Sequence, residues 1–269
     1  MRAPIAAGVG GAGGWRALTW AADLAARTGE HLILLHVCVP GSPLDDLVGD
    51  PTPGELEVVE PALARAYATV GARLGDGRAV LKIRAGSPAD RLAATSAGTR
   101  LLVIGDGAGG RTVRRVVRHA HCPVVVVRAP GRTPAGRYAG HVVAGVDDSP
   151  ASQAALEMAY AYAAGQRLPV AALHVSDRAT GDAARLLAGA LAPWTRLYPS
   201  VPTQCSVLAG PVGEELTRAA GGARLLVVGD KRRGVIGRAR TGDLPLTVAT
   251  EAPCPVAVVP LAQRDGDPW

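Results

Sequence analysis

The sequence predicts an α/β protein built as two tandem units, each a doubly wound parallel sheet covered by helices. Short apolar runs alternate with helical patterns along the whole chain, the signature of βαβ units. The same series of runs occurs twice in the same order, so one unit is written two times. The runs are apolar throughout, as in strands buried on both faces.

The first strand and its turn, "PIAAGVGG" (4–11), recur as "HVVAGVDD" (141–148). In the second copy Ser149 reads as an N-cap with Pro150 at the first helical position, and Gly165 is expected to close that helix. The second strand, "LILLHV" (32–37), recurs as "VAALHV" (170–175). After it the first copy carries about fourteen extra residues in "PGSPLDDLVGDPTPGELE". "IRAGSPADRL" (83–92) answers "VLAGPVGEEL" (207–216), and "RLLVIGD" (100–106) answers "RLLVVGD" (224–230). About eight extra residues then follow in the second copy, before "HCPVVVV" (121–127) meets its counterpart "PCPVAVV" (253–259). "RAPGRTPAGRYAG" (128–140), rich in Gly, Pro and Arg, reads as a connection between copies. The expected boundaries are a first domain at 1–131, a linker at 132–139, a second domain at 140–262 and a tail at 263–269.

With 269 residues, 48% of them hydrophobic, the chain is long and apolar enough for two globular cores. All but two of its 29 basic residues are arginine, the exceptions being Lys82 and Lys231. Abundant Ala, Gly and Pro and the lack of Phe point to GC-rich coding, which lowers the information in any one arginine cluster. Aromatic residues make up 3%, too few for a platform that stacks single-stranded nucleic acid. The four cysteines form no CxxC pair, which argues against a zinc or thioredoxin-type site. Cys122 and Cys254 each precede Pro-Val and read as small buried thiols. The opening stretch is expected to be a first strand rather than a secretory leader, because its copy lies inside the chain, and no apolar run approaches the ~20 residues of a membrane span. A reducing cytoplasm is the expected compartment.

Taken together, "AGVDDS", "LHV", the Gly-x-Pro/Val turn, "LLVVG" and the terminal "APCPVAVV" resemble the universal stress protein family, in two tandem copies of which the second fits better. The resemblance implies a five-stranded parallel sheet in each copy, with last strands that pair between copies or across a homodimer. It also implies, for members that bind nucleotide, a strand-1 aspartate and a loop patterned G-x2-G-x9-G-[ST]. Asp147 matches the aspartate, whose carboxylate would accept hydrogen bonds from a ribose or base. Val175 matches the backbone position used against adenine, and Gly229 and Gly242 match the outer loop glycines. Arg232 replaces the middle glycine, and Asp243 replaces the hydroxyl residue.

Those departures have physical consequences. Glycine permits positive φ and close backbone approach to phosphate, which an arginine at 232 disfavours. An aspartate at a helix N-terminus brings its own anion to a spot that otherwise attracts one, and Asp243 is expected to cap that helix. Conversely, Lys231, Arg232 and Arg233 can hold phosphates through their side chains. In the first copy Gly10 stands in place of Asp147 and the loop is shortened to "GDGAGG", so ATP or another adenine nucleotide is expected in the second domain only.

Other signals have plainer readings. Gly8, Gly10, Gly13 and Gly105, Gly107, Gly110 match G-x-G-x-x-G, but no acid ends the next strand "LILLHVCV", as a dinucleotide site requires. Arg111, Arg114, Arg115 and Arg118 share a helix face opposite Val113, Val116 and Val117 and read as a solvated face. His36 and His174 recur at equivalent strand ends without metal-ligand spacing, so they read as structural. The expected function is a non-enzymatic, cytoplasmic stress-response module, with slow ATP hydrolysis left open. The alternative is a nucleotide-independent interaction protein that uses the arginine loop and helix to bind an acidic protein or, less favoured, nucleic acid; neither reading involves a membrane.

Overall fold

The computed structural model describes residues 3–107, 110–129, 135–176, 181–231 and 243–261. Two compact units divide the chain, Met1–Val127 and Arg128–Trp269.

The first unit runs β1 (Ile5–Val9), α1 (Gly11–Thr28), β2 (Leu32–Cys38), α2 (Pro53–Val59), α3 (Pro61–Leu74), β3 (Ala79–Ala85), α4 (Pro88–Thr95), β4 (Leu101–Gly105), α5 (Arg111–His119) and β5 (Val124–Val127). Its strands lie in the order β3-β2-β1-β4-β5, all neighbours parallel. Ile5, Leu32, Leu34 and Leu102 are fully buried, which is what continuously apolar strands achieve between two helical layers. Helix α1 turns Ala17, Ala21 and Ala25 toward the sheet, and Gly29 in the left-handed region ends it.

The extra residues of the first copy are folded. Asp45–Leu47 form a 3-10 turn, Gly49 makes an antiparallel bridge to Ile83 on the outer edge of β3, and α2 follows. The start of α2 is a capping box in which Thr52 and Glu55 bond each other's backbone N–H, with Pro53 in the first turn. The insertion therefore covers part of an edge that would otherwise present unpaired backbone groups.

The second unit runs β6 (Val142–Gly145), α6 (Pro150–Gln166), β7 (Val170–Ser176), α7 (Gly181–Leu197), β8 (Thr203–Ala209), α8 (Val212–Ala219), β9 (Leu225–Asp230), α9 (Leu244–Glu251) and β10 (Val256–Pro260). Its order, β8-β7-β6-β9-β10, repeats that of the first unit, again with parallel neighbours. Ser149 caps α6 by accepting from the Ser152 N–H, with Pro150 in the first turn, as the sequence indicated. The expected stop at Gly165 is corrected: α6 runs on to Gln166 and ends at Arg167, which takes the left-handed conformation at φ 53°. The stop is set by where β7 must begin, because the Pro169 carbonyl receives the Val142 N–H and fixes the register of the two strands.

Residues 135–140, within the expected connection, form a turn packed on the second unit. Gly136 N–H donates to Gly221 O at 2.8 Å, Gly140 N–H donates to Gly222 O at 2.9 Å, and Tyr138 is buried. In each unit the strand order reverses beside the first strand, at β1/β4 and at β6/β9. Crevices at such switch points, outside the carboxyl ends of the strands, are where this architecture holds ligands.

Candidate functional site

Strand β6 ends at Gly145, and two residues later the chain presents Asp147 at the mouth of α6. The local sequence "DDSPAS" fixes that residue from several sides. Ser152 Oγ receives the Asp147 N–H at 3.0 Å, while Ser149 donates its N–H (2.9 Å) and its hydroxyl to Asp147 Oδ1. Ser149 Oγ in turn receives the Ser152 N–H at 3.2 Å, closing the network. The other carboxylate oxygen, Oδ2, lies 2.6 Å from Lys231 Nζ, just beyond the end of β9. Burial pushes the Asp147 carboxyl up, but the Lys231 and Ser149 bonds together outweigh it and hold the group below the usual carboxylate range.

The neighbouring strand is tied to the same loop. His174 Nδ1 lies 2.9 Å from the Val146 carbonyl, and in the first unit His36 Nδ1 lies 3.0 Å from the Val9 carbonyl. A carbonyl oxygen only accepts, so in both rings Nδ1 carries the proton. These recurring histidines are pins between the second strand and the loop after the first, and no group of potential metal ligands occurs among the described residues.

A cavity of about 630 Å³ opens at the carboxyl ends of β6, β7 and β9. Asp147, Val175, Gly229, Lys231 and Asp243 all lie on its wall. Four residues singled out from the sequence, Asp147, Val175, Gly229 and Asp243, are thus brought together. Arg232 and Gly242 lie outside the described residues, as do Arg233, Arg238 and Arg240. Sequence reasoning missed the turn into α8, whose Pro211, Val212 and Glu214 complete the wall, although that turn was visible as a repeated element. It also missed that Lys231 meets Asp147; the scarcity of lysine in this chain was the available signal.

Asp243 does occupy the N-cap position of α9, but its side chain makes no capping bond to that helix, contrary to expectation. Pro245 contributes to this, since it supplies no N–H at the second helical position, one of the two from which a cap side chain accepts. The Asp243 backbone carbonyl instead receives the Thr247 N–H at 2.9 Å and the Thr247 hydroxyl at 3.2 Å.

The first unit offers different chemistry at the matching loops. Gly10 brings no side chain, and Asp106 after β4 is bonded by Arg16 at 2.7 Å. Gly13 and Gly105 serve a tight strand-to-helix approach, Gly10 takes a positive φ in the turn from β1 into α1, and the end of β2 presents His36 rather than an acid. Helix α5 buries Val113, Val116 and Val117, exposes Arg114, and pairs Arg115 with Asp90 at 2.5 Å, which is the solvated face expected of it.

Comparison with known proteins agrees with this architecture. Residues 1–128 match the model of the universal stress protein family. A universal stress protein of Mycobacterium tuberculosis is 31% identical over 179 residues, covering 59% of this chain. The aligned part spans 60% of the length of that relative. A universal stress protein of Mycolicibacterium smegmatis is 29% identical over 277 residues, covering 90% of this chain and 92% of its own. Among solved structures, a universal stress protein of Archaeoglobus fulgidus superposes with a TM-score of 0.72 over 97% of both chains at 15% identity, a likeness of fold.

Proposed function

Because the chain belongs to the universal stress protein family, we propose that its second unit is a binding module for an adenine nucleotide and that its output is a change of conformation or association rather than turnover. The observation that carries this reading is the cavity at the β6/β9 switch point, with Asp147, Val175, Gly229 and Asp243 in its lining. Its volume of about 630 Å³ suits a small organic ligand. In this reading the adenosine end lies against Asp147 and Val175, and the phosphates lie toward Gly229, Arg232, Gly242 and Asp243. One carboxylate oxygen of Asp147 is fixed by Ser149, and a hydroxyl or amino donor of the ligand would meet the other, Oδ2, where Lys231 also binds. The arginines of the loop supply the cations that the backbone of a glycine-rich loop would otherwise replace.

The first unit is assigned a structural or interaction role, since Gly10 removes the carboxylate. The proposed setting is the cytoplasm. None of the four cysteines is in a disulfide, and among the described residues no helix is long and apolar enough to cross a membrane.

Isothermal titration of the whole chain with ATP, ADP and AMP tests the reading. One ligand per chain is expected, with Asp147→Ala weakening it strongly. Undiminished affinity in that variant overturns the placement, and heat-silent, unshifted titrations with all three nucleotides overturn the reading. A turnover assay with and without magnesium separates binding from slow hydrolysis.

A further inference from the structure

Asp147 presents its cavity-side oxygen to a residue of its own chain. Oδ1 is taken by the N–H and hydroxyl of Ser149, and Oδ2 is paired with Lys231 Nζ at 2.6 Å. A hydroxyl or amino donor from a ligand reaches Oδ2 only by sharing it with that ammonium or by displacing it. The two side chains are 33% and 40% exposed, and ion pairs so placed hold weakly, so displacement is feasible.

What happens to Lys231 afterwards depends on the ligand. A neutral ligand exchanges a cation for an uncharged donor and leaves the ammonium without its carboxylate. A ligand with a phosphate supplies a new anion, and the reading above sets that phosphate toward Gly229, which Lys231 follows by two residues in the lining of the same cavity. An ammonium on a four-carbon stem can swing between two such acceptors. A guanidinium, with five donors in a rigid planar fork, would be less free to leave Oδ2 for a second acceptor. Lysine at this position is therefore informative in a chain that uses arginine for all but two of its 29 basic residues. The internal repeat supplies an independent observation: the first unit has Gly10 in place of Asp147 and Gly107 in place of Lys231, so both members of the pair are absent together.

We propose that Lys231 sets the ligand class of this cavity, passing from Asp147 to a ligand phosphate and so favouring a nucleotide over the bare nucleoside. The inference rests on the nucleotide reading above and adds to it a specificity-determining residue.

The test is equilibrium binding of AMP and of adenosine to the full chain, for the wild type, Lys231→Met and Lys231→Arg, with melting curves as a check of folding. In Lys231→Met, AMP should weaken about tenfold while adenosine binds more tightly, because Asp147 is then open without competition. In Lys231→Arg the fork should stay on Asp147, weakening both ligands and AMP more. Parallel changes of AMP and adenosine in Lys231→Met, or no change in either, overturn this inference and leave the nucleotide reading standing, since the wild type still binds AMP. A wild type that binds neither AMP nor adenosine overturns both. If Lys231→Met fails to fold, Lys231→Arg decides alone: an unchanged preference for AMP overturns the exchange.

Discussion

Gly229 near the end of β9 lies so close to Ala151 in the first turn of α6 that a methyl group on Gly229 would sit 2.3 Å from the Ala151 carbonyl oxygen. Gly105 repeats this in the first unit, where its methyl group would sit 2.1 Å from the Gly13 carbonyl carbon. Both neighbours are backbone, which cannot swing aside as a flexible side chain can. The glycine that resembles the start of a phosphate loop is therefore required by strand-to-helix packing, whatever the cavity binds. Gly229→Ala and Gly105→Ala should each cost at least about 1–3 kcal/mol in urea unfolding. Gly165→Ala, inside α6 and facing open space, should instead stabilise by about 0.5–1 kcal/mol. Wild-type stability in Gly229→Ala would show that the approach is looser than described.

Protonation of His36 should weaken the first unit. Burial pulls its pKa below 6.5, while the Val9 bond and the nearby Glu60 pull partly the other way. A depressed histidine pKa means that the fold prefers the neutral ring, so unfolding takes up a proton in acid. The contribution is fully present above the ordinary pKa of 6.5 and is lost as pH falls through the lower folded value. Melting temperatures between about pH 8 and 5 should fall more steeply in wild type than in His36→Asn, whose amide N–H can replace the Nδ1 donor. Identical slopes would remove His36 from the account.

The two ends of α6 should respond in opposite directions. Ser149→Ala removes the cap on the Ser152 N–H and the hydroxyl bond to Asp147, while the Ser149 N–H stays on Asp147 Oδ1, and should cost about 1 kcal/mol. Arg167→Gly relieves a left-handed residue at a cost of roughly 1–2 kcal/mol to an L side chain, part of which the added freedom of the unfolded chain takes back. A net gain of up to about 1 kcal/mol is expected from chemical denaturation. Destabilisation by Arg167→Gly would mean that the arginine side chain, rather than its backbone, terminates the helix.

The repeat made most of the fold legible. Two matched series of apolar runs place ten strands, and a parallel α/β sheet brings the loops after its strands to one edge. Asp147, Val175, Gly229 and Asp243 converge for that reason, without any need to foresee side-chain contacts. What stayed hidden depends on directions that sequence spacing does not carry. The ion pair of Lys231 with Asp147 joins two separate loops, and the wall at Pro211–Glu214 comes from a turn whose repeat was seen but whose orientation was not. Gly165 misled because glycine is tolerated within a helix when the following strand dictates the stop. The Asp243 side chain misled because Pro245 had already removed one donor that a cap would use.

The cysteines give a way to follow the two units separately. Cys205 on β8 is exposed, whereas Cys38 and Cys122 of the first unit and Cys254 of the second are buried. Burial pushes the Cys254 thiol up to about 12, with backbone bonds opposing only in part, and the thiolate is the form that reacts. A maleimide at neutral pH should therefore modify Cys205 first in the folded protein. The other three should become reactive only as their own unit opens, so peptide mapping across a urea series reports the first unit through Cys38 and Cys122 and the second through Cys254. A nucleotide held in the second unit alone should protect Cys254 by shifting opening of that unit to higher urea, and should leave Cys38 and Cys122 unchanged. Rapid modification of Cys254 in the native protein would contradict its burial, and equal protection of all three by ligand would contradict a site confined to the second unit.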